Sequence, residues 1–343
     1  MNEVISEQKL RTAAKPARLG FLGVGWIGRH RMNAILDDGL AQAVAIADPS
    51  PAMAEEARKL APEARVARSL DEMLAEDLDG VVIATPSAQH AEQSIRALKA
   101  GFAVFCQKPL GRTAEEVTAV VEAAKAADRL LGVDLSYRRT EAMQRIRQII
   151  RSGELGKIFA ADLTFHNAYG PGKAWFYDKA LSGGGCVMDL GVHLIDLALW
   201  TLDFPKVVDV TSHLMSAGRT VTAGAERVED YGVATLTLGN GAVVRIACSW
   251  RLQAGCDAVI EADFFGTDGG ASVRNVNGSF YDFTAERFRG TSRELLTEPP
   301  DAWGGRAATA WAARLARSAT YDPACERLVD VAGVIDRIYG RQD

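Results

Sequence analysis

The chain of 343 residues is long enough for two domains, and its 48% hydrophobic and 24% charged residues are typical of a globular protein. Its formal net charge of -5 and the lack of a long basic run exclude nucleic acid and anionic membranes as expected partners. The five cysteines form no CxxC pair and are odd in number, which favours a reduced, cytoplasmic protein over a disulfide framework.

The first 16 residues are predicted to be a short N-terminal tail. They lack the apolar stretch of a secretory signal. No apolar run elsewhere approaches the ~18–20 residues that a membrane-spanning helix needs, so no such helix is expected.

Residues 17–137 alternate between short apolar segments and alanine-rich helical segments. The predicted strands are RLGFLGVG, AVAIAD, GVVIATP, AVFCQKP and LLGVDLSY. The predicted helices between them include EEARKL, HAEQSIRALKAG and TAEEVTAVVEAAKAADR. Strands that alternate with helices in this way form βαβ units, so the segment is predicted to hold a parallel sheet.

A glycine-rich turn, GVGWIG, follows the first predicted strand, and an aspartate ends the second strand twenty residues after the last of these glycines. This is the fingerprint of a Rossmann dinucleotide-binding domain, in which a helix N-terminus holds the pyrophosphate and the carboxylate holds ribose hydroxyls. The carboxylate also repels a 2′-phosphate, and the residues DPSPAM supply no Arg to offset it, so NAD is predicted in preference to NADP. The predicted cofactor contacts here are Gly23, Gly25, Trp26, Ile27, Gly28 and Asp48.

Residues 138–343 follow a different pattern. A helix near residues 141–152 and the strand KIFAADLTFHN precede the apolar helix GGGCVMDLGVHLIDLALW, after which several strands follow one another directly. Such a succession favours an antiparallel sheet, and the Asn-Gly of LGNGA is a hairpin signal. Two helices, near residues 307–318 and 323–339, end the chain. The sequence leaves open whether they stay with this domain or pack back on the first.

Three further motifs, taken with the glycine turn, resemble those of one family. They are ATPSAQHAEQ from Ala84, CQKPLG from Cys106, and the spacing D-x-G-x-H-x-x-D from Asp189. In order and spacing, nearly the whole chain resembles the glucose–fructose oxidoreductase, inositol dehydrogenase and MocA-like family. The resemblance implies an α/β fold, with an N-terminal Rossmann domain and a C-terminal α/β domain built on a large open, mostly antiparallel sheet. It also implies an NAD-dependent dehydrogenase acting on a sugar, inositol or related polyol.

The resemblance implies roles for individual side chains as well. Lys108 corresponds to the lysine of the family's E-K-P motif, and Asp189 and His193 correspond to its substrate-binding and proton-transferring pair. The residues implied to lie near the cofactor are Thr85, Pro86 and His90. Hydride transfer from an alcohol needs a base for the hydroxyl proton and support for the developing alkoxide, which an imidazole and an ammonium can supply.

One position departs from the family pattern, because Gln107 stands where the family usually has Glu. It remains a predicted cofactor contact. A carboxylate there would hold the neighbouring ammonium or the nicotinamide ribose by charge, whereas an amide keeps only a hydrogen bond. From the sequence alone, a Gln107→Glu variant is expected to fold normally and to change turnover or its pH dependence.

Further substrate contacts are predicted, although packing explains each of them equally well. They are Tyr137, Arg138, His166, Asn167 and Trp175. Asp196 is either a support for the catalytic pair or a structural hydrogen-bonding group. No metal site is predicted: Cys186 shares a helix side with Asp189 and His193, but no further Cys/His cluster completes a zinc ligand set.

Two other functions stay open beside the dehydrogenase. One is an NAD-dependent glycosidase that uses transient oxidation, and the other is a non-catalytic sugar or NAD sensor. The predicted partner is a small sugar or polyol substrate. A broad open sheet needs covering in a soluble protein, so a homo-oligomer, dimer or tetramer, is expected to form through the C-terminal sheet.

Overall fold

The computed structural model describes residues 15–222 and 225–341, so most of the predicted N-terminal tail lies outside the described residues. The described chain forms two compact units. The first unit contains residues 15–110, Glu115–Asp134 and Gly305–Glu326. The second contains Gly111–Ala114, Leu135–Gly304 apart from the two undescribed positions, and residues 327–341. Both units are therefore assembled from segments that are separate in the sequence.

The secondary structure of the described residues follows the chain in this order. The strands are β1 (Ala17–Leu22), β2 (Ala41–Ala47), β3 (Arg65–Val66), β4 (Gly80–Ile83), β5 (Ala103–Cys106), β6 (Leu131–Val133), β7 (Ile158–Asn167), β8 (Val207–Ser216), β9 (Arg219–Thr220), β10 (Tyr231–Leu238), β11 (Val243–Ser249), β12 (Ala258–Gly266), β13 (Gly270–Asn275), β14 (Phe283–Arg289) and β15 (Ser292–Thr297). The α-helices are α1 (Trp26–Asp37), α2 (Pro51–Arg58), α3 (Leu70–Leu74), α4 (Ser87–Lys99), α5 (Ala114–Ala127), α6 (Glu141–Arg151), α7 (Lys179–Ser182), α8 (Val192–Thr201), α9 (Arg306–Leu315) and α10 (Arg327–Ile338). A π-helical turn, Val187–Gly191, runs directly into α8.

The first unit is built on a six-stranded sheet in the order β3-β2-β1-β4-β5-β6, in which every pairing is parallel. All residues of β4 and β5 are buried, as expected for strands covered by helices on both faces. The strand order reverses between β1 and β4, and open α/β sheets bind ligands in the crevice at such a reversal. The predicted Rossmann domain is confirmed.

Helix α9 packs on this first sheet although it comes from near the end of the chain. The ring of Trp311 lies 5.6 Å from that of Phe105. A Cβ built on Gly132 would lie 2.7 Å from the Trp311 ring, so the bare glycine in β6 makes room for the indole. Of the two terminal helices, α9 thus belongs to the first unit and α10 to the second.

The second unit is built on a nine-stranded sheet in the order β15-β14-β13-β12-β7-β11-β10-β8-β9. The pairing of β7 with β11 is parallel, and the other pairings are antiparallel. Strands β10 and β11 form the predicted hairpin, and Gly241 of the Asn-Gly turn has a φ of +87°. The predicted large, mostly antiparallel sheet is confirmed.

One face of the nine-stranded sheet is packed and the other lies open within this chain. Buried and partly exposed residues alternate along the whole of β10, which is the pattern of a sheet with one covered face. The buried side chains join one core with α6, α8 and α10. On the open face, Arg245 pairs with Asp162, and Arg274 pairs with Glu261 at 2.6 Å.

The apolar stretch Lys179–Thr201 is long and apolar enough to cross a membrane by length and composition, although the sequence analysis expected no such run. Of its most apolar 18-residue window, 83% is buried inside the protein. Core helices of soluble proteins pass the same test, so the stretch is weak evidence for a membrane span. Here it supplies the centre of the second unit's core.

Candidate active site

The turn between β1 and α1 is shaped by close approaches of the backbone. Gly23 has a φ of +80°, and a Cβ built on it would lie 2.6 Å from the carbonyl carbon of Ala84. A Cβ at Gly28 would overlap the carbonyl oxygen of Gly23. Gly25 precedes α1, and no side chain among the described residues caps the helix there. Backbone and a helix N-terminus are therefore presented without intervening side chains, which fits the pyrophosphate of a dinucleotide.

Asp48 is held at the end of β2 by two backbone donors. The N–H of Val24, in the glycine turn, donates to Oδ2 at 2.8 Å, and the N–H of Ser50 donates to Oδ1 at 2.9 Å. Each carboxylate oxygen retains a second lone pair. The carboxylate is thus fixed beside the glycine turn with capacity to accept hydrogen bonds from ribose hydroxyls.

Arg29 places a cation close to this region, which the sequence analysis missed. Its Nη1 donates to the carbonyl oxygen of Val24 at 2.9 Å and lies 3.1 Å from the Sδ of Met53 in α2. The sequence analysis considered only an Arg among the residues that follow Asp48. Arg29 comes instead from α1 and reaches the same area through space.

The two remaining predicted residues of the turn differ in exposure. Trp26 is 64% exposed, and its ring lies 5.9 Å from that of His30. Ile27 is partly buried. An exposed indole at the first position of α1 is available to a ligand that approaches the helix N-terminus.

His90 links the loops that follow β4 and β5. It is buried, with Nδ1 2.7 Å from the carbonyl oxygen of Pro109 and Nε2 2.7 Å from that of Thr85. A neutral imidazole donates through one nitrogen only, so the protonated ring alone can donate to both carbonyls. Burial lowers the pKa of His90, and the two carbonyl contacts act in the opposite direction. His90 therefore ties the Thr85–Pro86 segment to the loop that carries Lys108, which is itself half-buried.

Gln107 belongs to a buried polar group that contains a carboxylate from a distant part of the chain. Its Nε2 donates to Oδ2 of Asp134 at 2.5 Å, and Nε of Arg31 donates to the same oxygen at 2.6 Å. Asp134 is only 1% exposed, and its Oδ1 has no hydrogen-bond partner among the described residues. The amide at 107 is thus matched to a carboxylate already present, which the sequence analysis did not find.

In the second unit, three consecutive glycines allow tight packing before the π-helical turn. A Cβ at Gly183 would lie 2.7 Å from the side chain of Arg112. A Cβ at Gly184 would overlap the hydroxyl of Tyr339, and one at Gly185 would overlap the carbonyl oxygen of Glu229. The sequence analysis did not identify these contacts because their partners are far away in the chain.

The carboxylate of Glu229 holds the start of the π-helical turn. It accepts hydrogen bonds from the N–H of Gly185 at 3.0 Å, the N–H of Val187 at 2.9 Å and the hydroxyl of Tyr339 at 2.8 Å. Burial raises the pKa of Glu229, while these donors oppose the shift. Glu229 therefore fixes the chain just before Asp189.

Asp189 lies within the π-helical turn and is the one residue between Ser182 and Thr201 that is not buried. The indole Nε1–H of Trp250 donates to its Oδ2 at 3.1 Å. Single π-turns inside α-helices occur frequently at functional sites. Here the turn presents a carboxylate from an otherwise buried helix.

His193 and Asp196 occupy different surroundings farther along the same helix. His193 is buried, and its ring lies 4.8 Å from that of Tyr137 in an edge-to-face arrangement. Asp196, 1% exposed, receives both arms of the Arg138 guanidinium, one of them at 2.6 Å. Burial raises the pKa of Asp196, and Arg138 opposes that shift. The structure thus places Arg138, a predicted substrate contact, in a bidentate pair with Asp196.

An aromatic cluster, consisting of Trp175, Phe176, Tyr177 and Trp250, stands beside Asp189. Trp175 and Phe176 are stacked at 3.8 Å between ring centroids, and Tyr177 lies 5.6 Å from Trp250. Because Trp250 also bonds Asp189, the cluster and the carboxylate form one continuous group.

The other two predicted contacts lie at the end of β7. His166 has Nδ1 2.8 Å from the hydroxyl oxygen of Ser249, and burial lowers its pKa. Asn167 uses its side-chain oxygen to accept the N–H of Tyr169 at 2.7 Å, which shapes the following turn. Both side chains thus already have hydrogen-bond partners within the chain.

The described residues contain no group of three or more His, Cys, Asp or Glu side chains placed to hold a metal ion. Cys186, considered above for zinc, packs instead against Cys248, with 3.9 Å between the two sulfur atoms.

Comparison with known proteins gives two family matches. Residues 17–135 match an oxidoreductase family with an NAD-binding Rossmann fold, and residues 143–272 match the GFO/IDH/MocA C-terminal domain. Inositol 2-dehydrogenase of Rhizobium meliloti is 30% identical over 82% of this chain and 78% of its own length. D-glucoside 3-dehydrogenase of Escherichia coli is 28% identical over 66% of this chain, and the chain spans 64% of that protein's length.

Solved structures share the fold over almost the whole chain. Levoglucosan dehydrogenase in complex with NADH and levoglucosan has a TM-score of 0.80 and 23% identity, and it covers 95% of this chain and 97% of its own. KijD10, a 3-ketoreductase from Actinomadura kijaniata in complex with NADP and TDP-benzene, has a TM-score of 0.80 and 20% identity, with 95% and 98% covered. These neighbours therefore include complexes with either nicotinamide cofactor.

Proposed function

The chain belongs to the GFO/IDH/MocA oxidoreductase family, and we propose that it is a nicotinamide-dependent dehydrogenase of a sugar, inositol or related polyol. The names of the two relatives above, a glucoside dehydrogenase and an inositol dehydrogenase, support this substrate class. The observation that carries the proposal is the π-helical turn, which exposes Asp189 beside an aromatic cluster while His193 follows on the same helix.

In the proposed mechanism, a nicotinamide nucleotide held by the glycine turn and Asp48 would supply hydride transfer at the hydroxyl-bearing carbon of the substrate. His193 exchanges the hydroxyl proton, since an imidazole nitrogen can both accept and donate a proton. Lys108, just after a parallel strand, polarises the reacting oxygen with its ammonium and supports the alkoxide that develops. Asp189, oriented by the indole of Trp250, accepts a hydrogen bond from a substrate hydroxyl.

We assign the substrate contacts to the surroundings of Asp189. Trp175 and its aromatic neighbours offer flat apolar faces for a sugar ring, and Tyr137 shields His193. His166 and Asn167 are kept as candidate contacts for substrate hydroxyls. Arg138 acts through Asp196, because its guanidinium already pairs with that carboxylate.

For the cofactor, we propose NAD in preference to NADP. Asp48 supports this choice, because a carboxylate beside the glycine turn accepts ribose hydroxyls and repels a 2′-phosphate. Arg29 is the one group described here that works against it, since its cation lies next to α2. The remaining proposed cofactor contacts are Trp26, Ile27, Thr85, Pro86, Gln107 and Lys108, with His90 acting behind them.

The same proposal covers the organisation of the molecule. We assign residues 17–137 to cofactor binding and, apart from helix α9, which belongs to the first unit, residues 138–343 to substrate binding and self-association. The open face of the nine-stranded sheet supports a homo-oligomer, dimer or tetramer, formed through that face. Five free cysteines and a net charge of -5 support a cytoplasmic protein that engages neither nucleic acid nor membranes.

Steady-state NADH absorbance with a panel of sugars and inositols tests the function directly. A dehydrogenase accumulates NADH with at least one member of the panel. A glycosidase that uses transient oxidation would release the leaving group of a glycoside with no net NADH, and a sensor would bind ligand without turnover. Either of these two results would replace the proposed reaction.

A further inference from the structure

A cavity of about 330 Å³ lies in the second unit, and none of its lining residues is assigned above to substrate or cofactor. The end of α10, the edge of the sheet at β8 and β9, and the start of α7 form its walls. Four cationic residues line it: Lys179, Arg227, Arg337 and Arg341.

Three of these cations are held in place by backbone carbonyl oxygens at 2.8 to 3.1 Å. Lys179 donates to Ala225, Arg227 donates to Thr220, and Arg337 donates to both Val207 and Val208. A carbonyl orients a cation without cancelling its charge. The ammonium and the two guanidinium groups of these lining residues are therefore oriented before any ligand arrives, which reduces the entropy lost on binding.

Carboxylates do not neutralise these three cations within the described part of the chain. Arg341 has an ion-pair partner, Asp336, at 2.8 Å, whereas Lys179, Arg227 and Arg337 have none there. Glu229 is the carboxylate that lines the cavity. It already accepts hydrogen bonds from the N–H groups of Gly185 and Val187 and from the hydroxyl of Tyr339. Charges of one sign in a concave surface concentrate ions of the opposite sign.

The charge and size of the cavity indicate the kind of ligand. A phosphate group carries about -1.5 to -2 charges near neutral pH, and arginine matches its oxygens with paired donors. Three uncompensated cations suit such a dianion better than a single carboxylate. The hydroxyls of Thr220 and Thr222 also line the cavity and can donate to phosphate oxygens. A volume of about 330 Å³ is near the lower end of the usual ~300–1,000 Å³ for small-molecule sites.

We propose that this cavity binds the phosphate group of a small molecule, held by Lys179, Arg227 and Arg337. The site is separate from the proposed dehydrogenase chemistry and does not depend on it. Its wall includes Gly184 and Glu229, which also form the turn before Asp189, so an occupied cavity lies against the residues that fix that turn.

Calorimetric titration of the full chain tests the proposal. Glucose 6-phosphate and inorganic phosphate are the probes, and glucose is the control ligand without a phosphate group. Ionic strength is held constant with sodium chloride. Both phosphate probes are expected to bind at this cavity, and Lys179→Gln is expected to weaken that binding. Any binding of glucose belongs to the proposed dehydrogenase site and is expected to be unaffected by Lys179→Gln. Tighter binding of glucose 6-phosphate identifies a phosphate ester as the natural ligand class, and equal binding identifies free phosphate.

Three variants locate the binding. Lys179→Gln and Arg337→Gln are expected to weaken phosphate binding about ten- to a hundredfold, as expected for the loss of charge-assisted hydrogen bonds. Arg289→Gln, at an exposed arginine with no described side-chain partner, removes the same charge and is expected to leave affinity unchanged. Lys179 is only half-buried, so its variant stays informative if loss of Arg337 unfolds the protein.

Three results would overturn the proposal. The first is a wild-type protein that binds neither phosphate probe. The second is equal affinity in wild type and all three variants, which would place the phosphate elsewhere, for example at the glycine turn before α1. The third is a loss of affinity in Arg289→Gln that matches the loss in Lys179→Gln, because it would reflect net charge alone.

Discussion

Asp134 determines how the protein would respond to a carboxylate at position 107. Because Asp134 already supplies a buried carboxylate, Gln107→Glu places a second one about where the amide now donates at 2.5 Å. Two adjacent carboxylates cannot both ionise in a buried site, so the folded-state pKa of the introduced carboxyl group is raised above its unfolded value of ~4.3. A group with a raised folded pKa contributes stability below its unfolded pKa and loses it as the pH rises.

We therefore predict that Gln107→Glu is close to wild-type stability near pH 4 and loses about 1–3 kcal/mol toward neutral pH. This replaces the sequence-based expectation of normal folding. Denaturant unfolding as a function of pH measures the effect. The double variant Gln107→Glu/Asp134→Asn exchanges amide and carboxylate and is expected to recover much of the loss. A pH-independent difference from wild type would show that the two side chains do not interact.

His90 provides a second prediction about a single residue. Replacing His90 by Leu removes the imidazole that contacts the Thr85 and Pro109 carbonyls, at a cost of about 1–3 kcal/mol for unsatisfied buried groups. Lys108 sits on one of the linked loops, so kcat should fall beyond what the unfolded fraction explains, and His90→Gln should lie between Leu and wild type. Gln93→Leu is the control, since Gln93 bonds only the Thr85 hydroxyl there. A normal kcat per folded molecule would leave His90 a purely structural role.

For a substitution of His193, we expect a loss of catalytic rate rather than of stability. His193→Ala should reduce kcat about 10²–10⁴-fold, the usual contribution of a general acid–base group, while nucleotide affinity stays unchanged. The Rossmann glycines and Asp48, which hold the nucleotide in our proposal, lie far from this helix in the sequence. A lower melting temperature with a near-normal rate per folded molecule would instead make His193 a core residue.

At the scale of secondary-structure elements, the three consecutive glycines before Asp189 give the sharpest test. A Cβ at Gly185 would overlap the carbonyl oxygen of Glu229, so Gly185→Ala must shift the start of the π-helical turn. We predict a stability loss of about 1–3 kcal/mol from overpacking, together with a fall in kcat. Gly172→Ala is the matched control, because a Cβ there meets no described atom within 4 Å. Equal behaviour of both variants would show that the turn tolerates displacement.

The same helix shows which features a sequence can predict. The glycine fingerprint and the β10–β11 hairpin are local patterns, so they were predictable residue by residue. The sequence analysis placed Asp189 and His193 on one side of an α-helix, but a π-turn changes the side-chain spacing and is not visible in a 3.6-residue period. The partners of Asp189 and Asp196 were also not predictable, since Trp250 and Arg138 lie 61 and 58 residues away in the sequence.

At the scale of the whole molecule, the open face of the nine-stranded sheet should decide the oligomeric state. Ala247 points to that face from β11, between Thr164 and Val233 on the neighbouring strands. Ala247→Lys is predicted to shift the protein toward monomer in light scattering after gel filtration, because it puts an unpaired charge into the interface. Ala254→Lys, at an exposed loop position, should leave the assembly intact. An unchanged assembly in Ala247→Lys would place the interface elsewhere.

The order in which the units are encoded has a consequence for biosynthesis. The sheet of the first unit ends at Val133, yet Trp311 fills the space beside Gly132 and Phe105. The second unit likewise needs Tyr339, because its hydroxyl donates to the buried carboxylate of Glu229. During translation, the first unit therefore lacks Trp311 and the second lacks Tyr339 until those late residues have been synthesised. Neither unit can complete its packing before these residues are available, so each exposes part of its core while the preceding chain is being synthesised.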